Sequence, residues 1–89
     1  MLFVSKYTIR PEHRDAAIRR FLETAAPAPK GVKLLARYHD VGARAGYSIA
    51  ETDDPTLMAQ FALDWSDLLT IETHPVITDE QFAKLIAKK

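Results

Sequence analysis

The chain contains no cysteine among its 89 residues. That excludes a disulfide framework, a thiol nucleophile and a thiolate metal site. Neither sign of charge is in excess: twelve Lys and Arg balance twelve Asp and Glu. Proteins that grip phosphate backbones need a basic face, so nucleic acid is not an expected partner. Zero net charge also leaves little self-repulsion to hold copies apart. No apolar run approaches the ~20 residues that cross a bilayer, so no membrane is expected. The opening Met1-Leu2-Phe3-Val4-Ser5-Lys6 has no basic segment ahead of a long apolar run. It reads as a strand and not as a signal peptide, and the expected location is cytoplasmic. Internal repeats, low-complexity tracts and domain linkers are missing too. The length allows one domain over residues 1–89. Its core must be small, because a chain of this size buries only about 60–65% of its unfolded surface.

What the chain does have is a globular share of hydrophobic residues, 47%, and clear periodicity. The organising stretch is Asp54 to Ile77. Met58, Phe61, Ala62, Trp65, Leu68 and Leu69 follow a 3.6-residue period. Asp54 can cap the helix and Pro55 suits its first position. Thr70 to Ile77 then alternates like a strand. Pro75 lacks an amide donor, which favours a sheet edge. Before this stretch, Leu2 to Ile9 is a strand, apolar on both faces at its start and therefore central. Glu12 to Ala25 is a helix with an Ile18, Phe21, Leu22, Ala25 stripe, stopped by Pro27 and Pro29. Val32 to Asp40 and Arg44 to Glu51 form a hairpin around Val41-Gly42-Ala43. In the first of these, strict alternation puts Val32, Leu34, Ala36 and Tyr38 on one face and Lys33, Leu35, Arg37 and His39 on the other. Thr78 and Gln81 fit a capping box, opening a last helix with Phe82, Leu85 and Ile86 on its apolar side. That helix is expected to dock on the body.

The order β-α-β-β-α-β plus a C-terminal helix is that of an α+β, ferredoxin-like fold. Right-handed crossovers place both long helices on one face of a four-stranded antiparallel sheet. The other face is expected to carry Phe3, Tyr7, Leu35, His39, Glu72, His74 and Val76. Phe3, Leu35 and Val76 would then form an exposed apolar patch, and such patches mark interfaces. A second copy, sheet against sheet about a two-fold axis, would cover it, so the expected partner is the chain itself as a homodimer. Tyr7, Arg37, His39, Glu72 and His74 would add polar tips to that apolar wall, the usual make-up of a small-molecule site.

Several segments carry a resemblance: M-L-F-V at the start, Y-T-I-R-P-E, G-V-K-L-L at 31–35, E-T-D-D-P at 51–55, and W-S-D-L-L followed by E-T-H-P-V. Together they resemble the DUF3303 family, over nearly the whole chain. The resemblance implies a ferredoxin-like domain of the dimeric α/β barrel kind. It implies no reaction. Folds of that kind host cofactor-free monooxygenases, haem-degrading enzymes, isomerases, cyclases and stress proteins, so the fold does not choose a chemistry.

The candidate chemistry is sparse. Glu72 and His74 lie two apart on one strand face, as an acid–base pair or as a polar pair at an interface. His39, beside Asp40, faces the cavity or solvent. The three histidines have no i, i+4 partner spacing, so no metal and no cofactor is expected. Trp65 and Phe61 read as core, with Trp65 out of reach of any ligand. Ser66 lacks a nucleophile-elbow context, and Arg14, Arg19 and Arg20 read as a solvated face. Two functions stand: a homodimeric module that binds a small, partly apolar molecule or acts as a scaffold, and a cofactor-independent monooxygenase or isomerase using His74, Glu72, Tyr7 and His39.

Overall fold

The computed structural model describes residues 1–88. Strand β1 spans Leu2–Ile9, and a 3-10 turn over Pro11–His13 leads into helix α1, Arg14–Thr24. β2 spans Lys33–His39, β3 Ala45–Glu51, α2 Pro55–Asp64, β4 Leu69–Val76 and α3 Asp79–Ile86. The strands form one sheet of order β2-β3-β1-β4, with every adjacent pair antiparallel. This is the ferredoxin-like arrangement. β1 is central, and β4, with Pro75, is an edge.

Local chemistry sets most boundaries. Asp54 Oδ1 accepts from the Thr56 amide at 2.9 Å, capping α2 behind Pro55. α2 ends at Asp64, earlier than its apolar period suggests. The Ser66 hydroxyl donates to the Leu63 carbonyl at 2.9 Å, which supports a turn in place of another helical step. α1 ends before its prolines. Ala25 and Ala26 adopt φ of 58° and 44°, and the Ala25 amide closes back on the Phe21 carbonyl at 2.7 Å. Left-handed backbone is unusual for alanine. Arg37 holds the turn by donating to the carbonyls of Ala26 at 2.8 Å and Ala25 at 3.0 Å.

The helices lie on the face formed by the odd residues of β1 and β4, which corrects the expected facing of β1. Phe3 is 4% exposed and packs with Ala50 and Met58, with Val32 and Leu34 around them. Ile9, Ala17 and Leu68 form a second cluster with Tyr7 and Leu69 at the other end of the sheet. Side-chain size explains the choice of face: β1 carries Phe3, Tyr7 and Ile9 on its odd face against Leu2 and Val4 on its even face, and burying the larger set removes more surface from water.

β2 departs from strict alternation. Leu34 pairs with Ala50, but Ala36 pairs with Ile49, so Leu35 is an extra residue in a β-bulge. Beyond the bulge every side chain changes face. Ala36 and Tyr38 point away from the helices, and Arg37 and His39 point toward them, opposite to the expectation from plain alternation.

The face of β1 has a direct test. Phe3→Ala is expected to cost about 3–5 kcal/mol, as for other buried aromatic truncations, and Thr8→Ala on the outer face within about 0.5 kcal/mol. Denaturant unfolding of the dilute chain measures both, and near-equal costs would return Phe3 to the outer face.

Candidate functional site

Between the two core clusters lies a cavity of about 260 Å³, bounded by the sheet, α1 and α2. Its origin is legible in the register. Across the middle of the sheet, Ser5 pairs with Ser48 on one side and Thr73 on the other. These small side chains sit where the flanking rows carry Phe3 and Tyr7, and the helices cannot follow the floor down. The Ser5 and Thr73 hydroxyls hydrogen-bond each other at 3.0 Å, so the floor is a hydroxylated strip. The walls are apolar: Phe21 from α1, Met58 and Phe61 from α2, then Trp65. Ile18 and Leu22 of α1 also line the space but stay partly open to water. The α1 stripe therefore faces a cavity rim and not a filled core.

One end of the cavity is polar. Tyr7, Gly46 and His39 occupy one row across three strands, Gly46 pairing with both of the others. Gly46 has no side chain, and the Tyr7 ring lies over it: a Cβ built there would fall on the ring. The Tyr7 hydroxyl thereby reaches across β3 and hydrogen-bonds His39 Nδ1. Burial raises the Tyr7 pKa from 10.0, Arg37 opposes this, and Asp40 adds to it. The hydroxyl is thus protonated at neutral pH, and it donates to an unprotonated Nδ1 or accepts from Nδ1–H according to the imidazole tautomer. With the hydroxyl as donor, a neutral imidazole carries its ring proton on Nε2. Phe21 meets the His39 ring edge-on, with centroids 5.3 Å apart and planes at 77°. Arg37 lies over Phe21 at 5.4 Å, and its bonds to Ala25 and Ala26 fix it as a brace at the end of α1.

The structure thus divides the five residues expected at one site. Tyr7, Arg37 and His39 line the cavity under the helices. Glu72 and His74 stand exposed on the opposite face, where their cross-strand neighbours are Lys6 and Val4. Trp65 is buried as expected, but its ring lines the cavity as well. Arg20, expected to be solvated, lies 5.1 Å over the Trp65 ring and forks onto Asp67 at 2.9 and 2.6 Å. That contact lowers the Asp67 pKa and ties α1 to the segment after α2. Ser5, Ser48 and Thr73 escaped the sequence reading. Their signal was available in Gly46, Ser48 and Ala50, three small residues on one face of a strand. Among the described residues, no group of three or more His, Asp or Glu is placed to hold a metal ion.

The profile of DUF3303, a domain of unknown function, matches residues 1–89. The chain belongs to the DUF3303 family. No curated protein matches it. Among solved structures, this DUF3303 chain is similar to a candidate antibiotic biosynthesis monooxygenase from Deinococcus radiodurans. The two are 18% identical, over 88% of this chain and 94% of that chain, with a TM-score of 0.49. No helix among the described residues of this family member is long and apolar enough to cross a membrane.

Two outcomes follow from the Tyr7 row. Gly46→Ala must push the Tyr7 ring off β3, and overpacking of this kind costs about 1–3 kcal/mol. A variant as stable as the wild type in urea would show the ring is not seated there. The second concerns pH. The folded chain holds the Tyr7 proton more tightly than the unfolded chain, so the associated stability is fully present below pH 10.0. It is lost as pH rises from there through the raised folded pKa. Tyr7→Phe is expected to flatten that alkaline decline. Matching declines in urea titrations of both proteins would mean the hydroxyl is fully solvated.

Proposed function

We propose that the protein binds a small, largely apolar molecule carrying a polar group, in the cavity between sheet and helices. The supporting observation is the hydroxylated floor of Ser5, Ser48 and Thr73 beneath apolar walls. Folding closes such voids unless the sequence keeps them open, because an unfilled cavity forfeits packing energy. Here larger residues on the floor would have closed it. The volume, about 260 Å³, lies just below the ~300–1,000 Å³ of drug-sized pockets, so the ligand is of one or two rings. Its apolar body would lie against Phe21, Phe61 and Trp65, and its polar group would face the floor or the Tyr7–His39 end. This moves the expected binding place from between two sheets to within one chain.

A second reading, a cofactor-independent oxygenase or isomerase, is favoured by the Tyr7–His39 pair alone. A histidine hydrogen-bonded to a neutral tyrosine can accept or deliver a proton at the mouth of an apolar cavity. Glu72 and His74 lie outside that space, so they have no part in this version.

Trp65, the single tryptophan of the chain, reports the test. 2-Naphthol, a two-ring probe with one hydroxyl, is expected to change Trp65 emission with saturation. Ser48→Leu, which fills the floor, is expected to weaken that binding roughly tenfold or more, the effect of losing a shaped pocket. Equal binding by the filled variant, or an unresponsive Trp65 across a panel of such probes, would defeat the reading. If the second reading holds, His39→Ala abolishes turnover of a substrate it still binds.

A further inference from the structure

The hydroxylated floor of the cavity belongs to a longer row. Across the four strands, Arg37 pairs with Ser48, Ser48 with Ser5, and Ser5 with Thr73. A row of hydroxyls therefore ends, on the β2 edge, in a guanidinium, and all four side chains line the cavity. The adjacent row brings His39 and Tyr7 to the same end. Arg37 is half-buried, yet the chain supplies it with no carboxylate. Among the described residues, the ion pairs join Met1 to Asp53 and Arg20 to Asp67. Arg37 spends one N–H of each terminal nitrogen on the carbonyls of Ala26 and Ala25. Those dipoles orient the guanidinium without cancelling its charge, and the rest of its five N–H donors stay available.

Negative charge is kept away from this end. Of the twelve Asp and Glu in the chain, none lines the cavity. Glu23, ahead of the α1 turn, and Asp40, after His39, are both exposed, where water screens them. Asp40 is felt at the Tyr7 hydroxyl, but less than Arg37 is. α3 stays clear as well. Contrary to the expectation that it docks on the body, Phe82, Leu85 and Ile86 are more than half exposed, and no α3 residue lines the cavity. It leaves the sheet where Val76 pairs with Leu2, at the far end of β1 from Tyr7. At about 3.4 Å per residue along β1, its acidic first turn, Asp79 and Glu80, starts more than a Debye length of about 8 Å away. The cavity thus has net positive charge at its polar end inside a chain of zero net charge.

We infer that the molecule taken into the cavity is an organic acid, an aromatic carboxylate of one or two rings, with its carboxylate on Arg37 and the hydroxyl row and its rings against Phe21, Phe61 and Trp65. This rests on the binding reading proposed above and narrows it to one class of charge. A half-buried cation without a counter-ion is costly, so an anion gains most by entering. Guanidinium N–H groups match the two oxygens of a carboxylate, and such charge-assisted bonds are about twice as strong as neutral ones. The Ser5 and Thr73 hydroxyls share one hydrogen bond, which leaves one of their two O–H groups to donate to the incoming oxygen. Ser48, between Ser5 and Arg37 in the row, adds another hydroxyl. One guanidinium matches one negative charge. A phosphate would bring a second charge with no lysine or second arginine in the lining to meet it.

Three probes with the same two rings separate charge from shape. At pH 7, 2-naphthoate is an anion, 2-naphthol is neutral and 2-(aminomethyl)naphthalene is a cation. Equilibrium dialysis against the full wild-type chain is expected to rank them in that order, with 2-naphthoate bound roughly tenfold or more tighter than 2-naphthol. Added salt should narrow the gap. Arg37→Gln is expected to bring the two affinities within about threefold of each other, and the ratio cancels any change in the cavity that both probes feel. Arg37→Lys keeps the charge but not the fork, and is expected to keep most of the preference. If 2-naphthol binds and 2-naphthoate binds no tighter, this inference is overturned while the binding reading stands. A chain that binds none of the three ends both. A cation bound as tightly as the anion overturns the inference as well. So does a preference lost equally in Arg37→Gln and Arg37→Lys, since the shape of the α1 turn and not the charge would then set it.

Discussion

The hydrogen bond between Tyr7 and His39 crosses an entire strand, and the cavity's polar end depends on what makes that crossing feasible. Strands in a sheet lie about 4.8 Å apart, so residues on β1 and β2 are separated by twice that. Two sequence features close the gap. Gly46, in the same row on β3, has no side chain, and the Tyr7 ring occupies the space above it. The bulge at Leu35 turns His39 to the helix side, where the ring can meet it. Remove either feature and the pair separates: a side chain at residue 46 would block the ring, and regular pairing would send His39 and Arg37 to the other face. The bulge also sets the brace on α1, because Arg37 reaches the Ala25 and Ala26 carbonyls only from the helix side.

A small chain rarely keeps a void of this size without a reason, since its packing supplies most of its marginal stability. The apolar core is instead split in two. Phe3, Ala50 and Met58 hold one end of the sheet to α2, and Ile9, Ala17 and Leu68 hold the other to α1. Ser5, Ser48 and Thr73 occupy one row between them, beside the row of Tyr7 and Gly46. Two anchored ends and an unfilled middle let the helices span the cavity as a roof. Arg20, stacked on Trp65 and forked onto Asp67, ties one helix of that roof to the turn after the other.

The element order, both helix caps, the central place of β1 and the edge place of β4 were legible in the sequence, because each rests on local chemistry: apolar period, an Asp-Pro start, a Thr-to-Gln box, a proline in a strand. The site was legible only in part. Tyr7, Arg37 and His39 were picked out, but on the wrong side of the sheet. Alternation tells which residues share a face and not which face the helices take, and a bulge inverts the count without leaving a glycine or proline to mark it. The floor of the cavity was missed for a different reason. A serine in a strand signals nothing by itself, and only the register that sets Ser5 between Ser48 and Thr73 makes the row a void.

Glu72 and His74 show the converse error. Their parity was read correctly, yet parity makes neighbours and not partners. Same-face residues on one strand have their Cα atoms about 7 Å apart, and among the described residues Glu72 and His74, both exposed, share no hydrogen bond, so the acid does not orient the histidine. The nearer groups are those directly across. For Glu72 that is Lys6, and for His74 it is Val4. Tyr7 and His39, 32 residues apart in the chain, meet where these two do not. In a sheet, chemistry is assembled along rows that run across strands, and a row is set by register. The opposed pairs on the outer face, Lys6 with Glu72 and Lys33 with Glu51, follow the same rule and neutralise one another in place. On the helix side the row of Arg37 holds hydroxyls and no acid, so its charge is left for what enters the cavity.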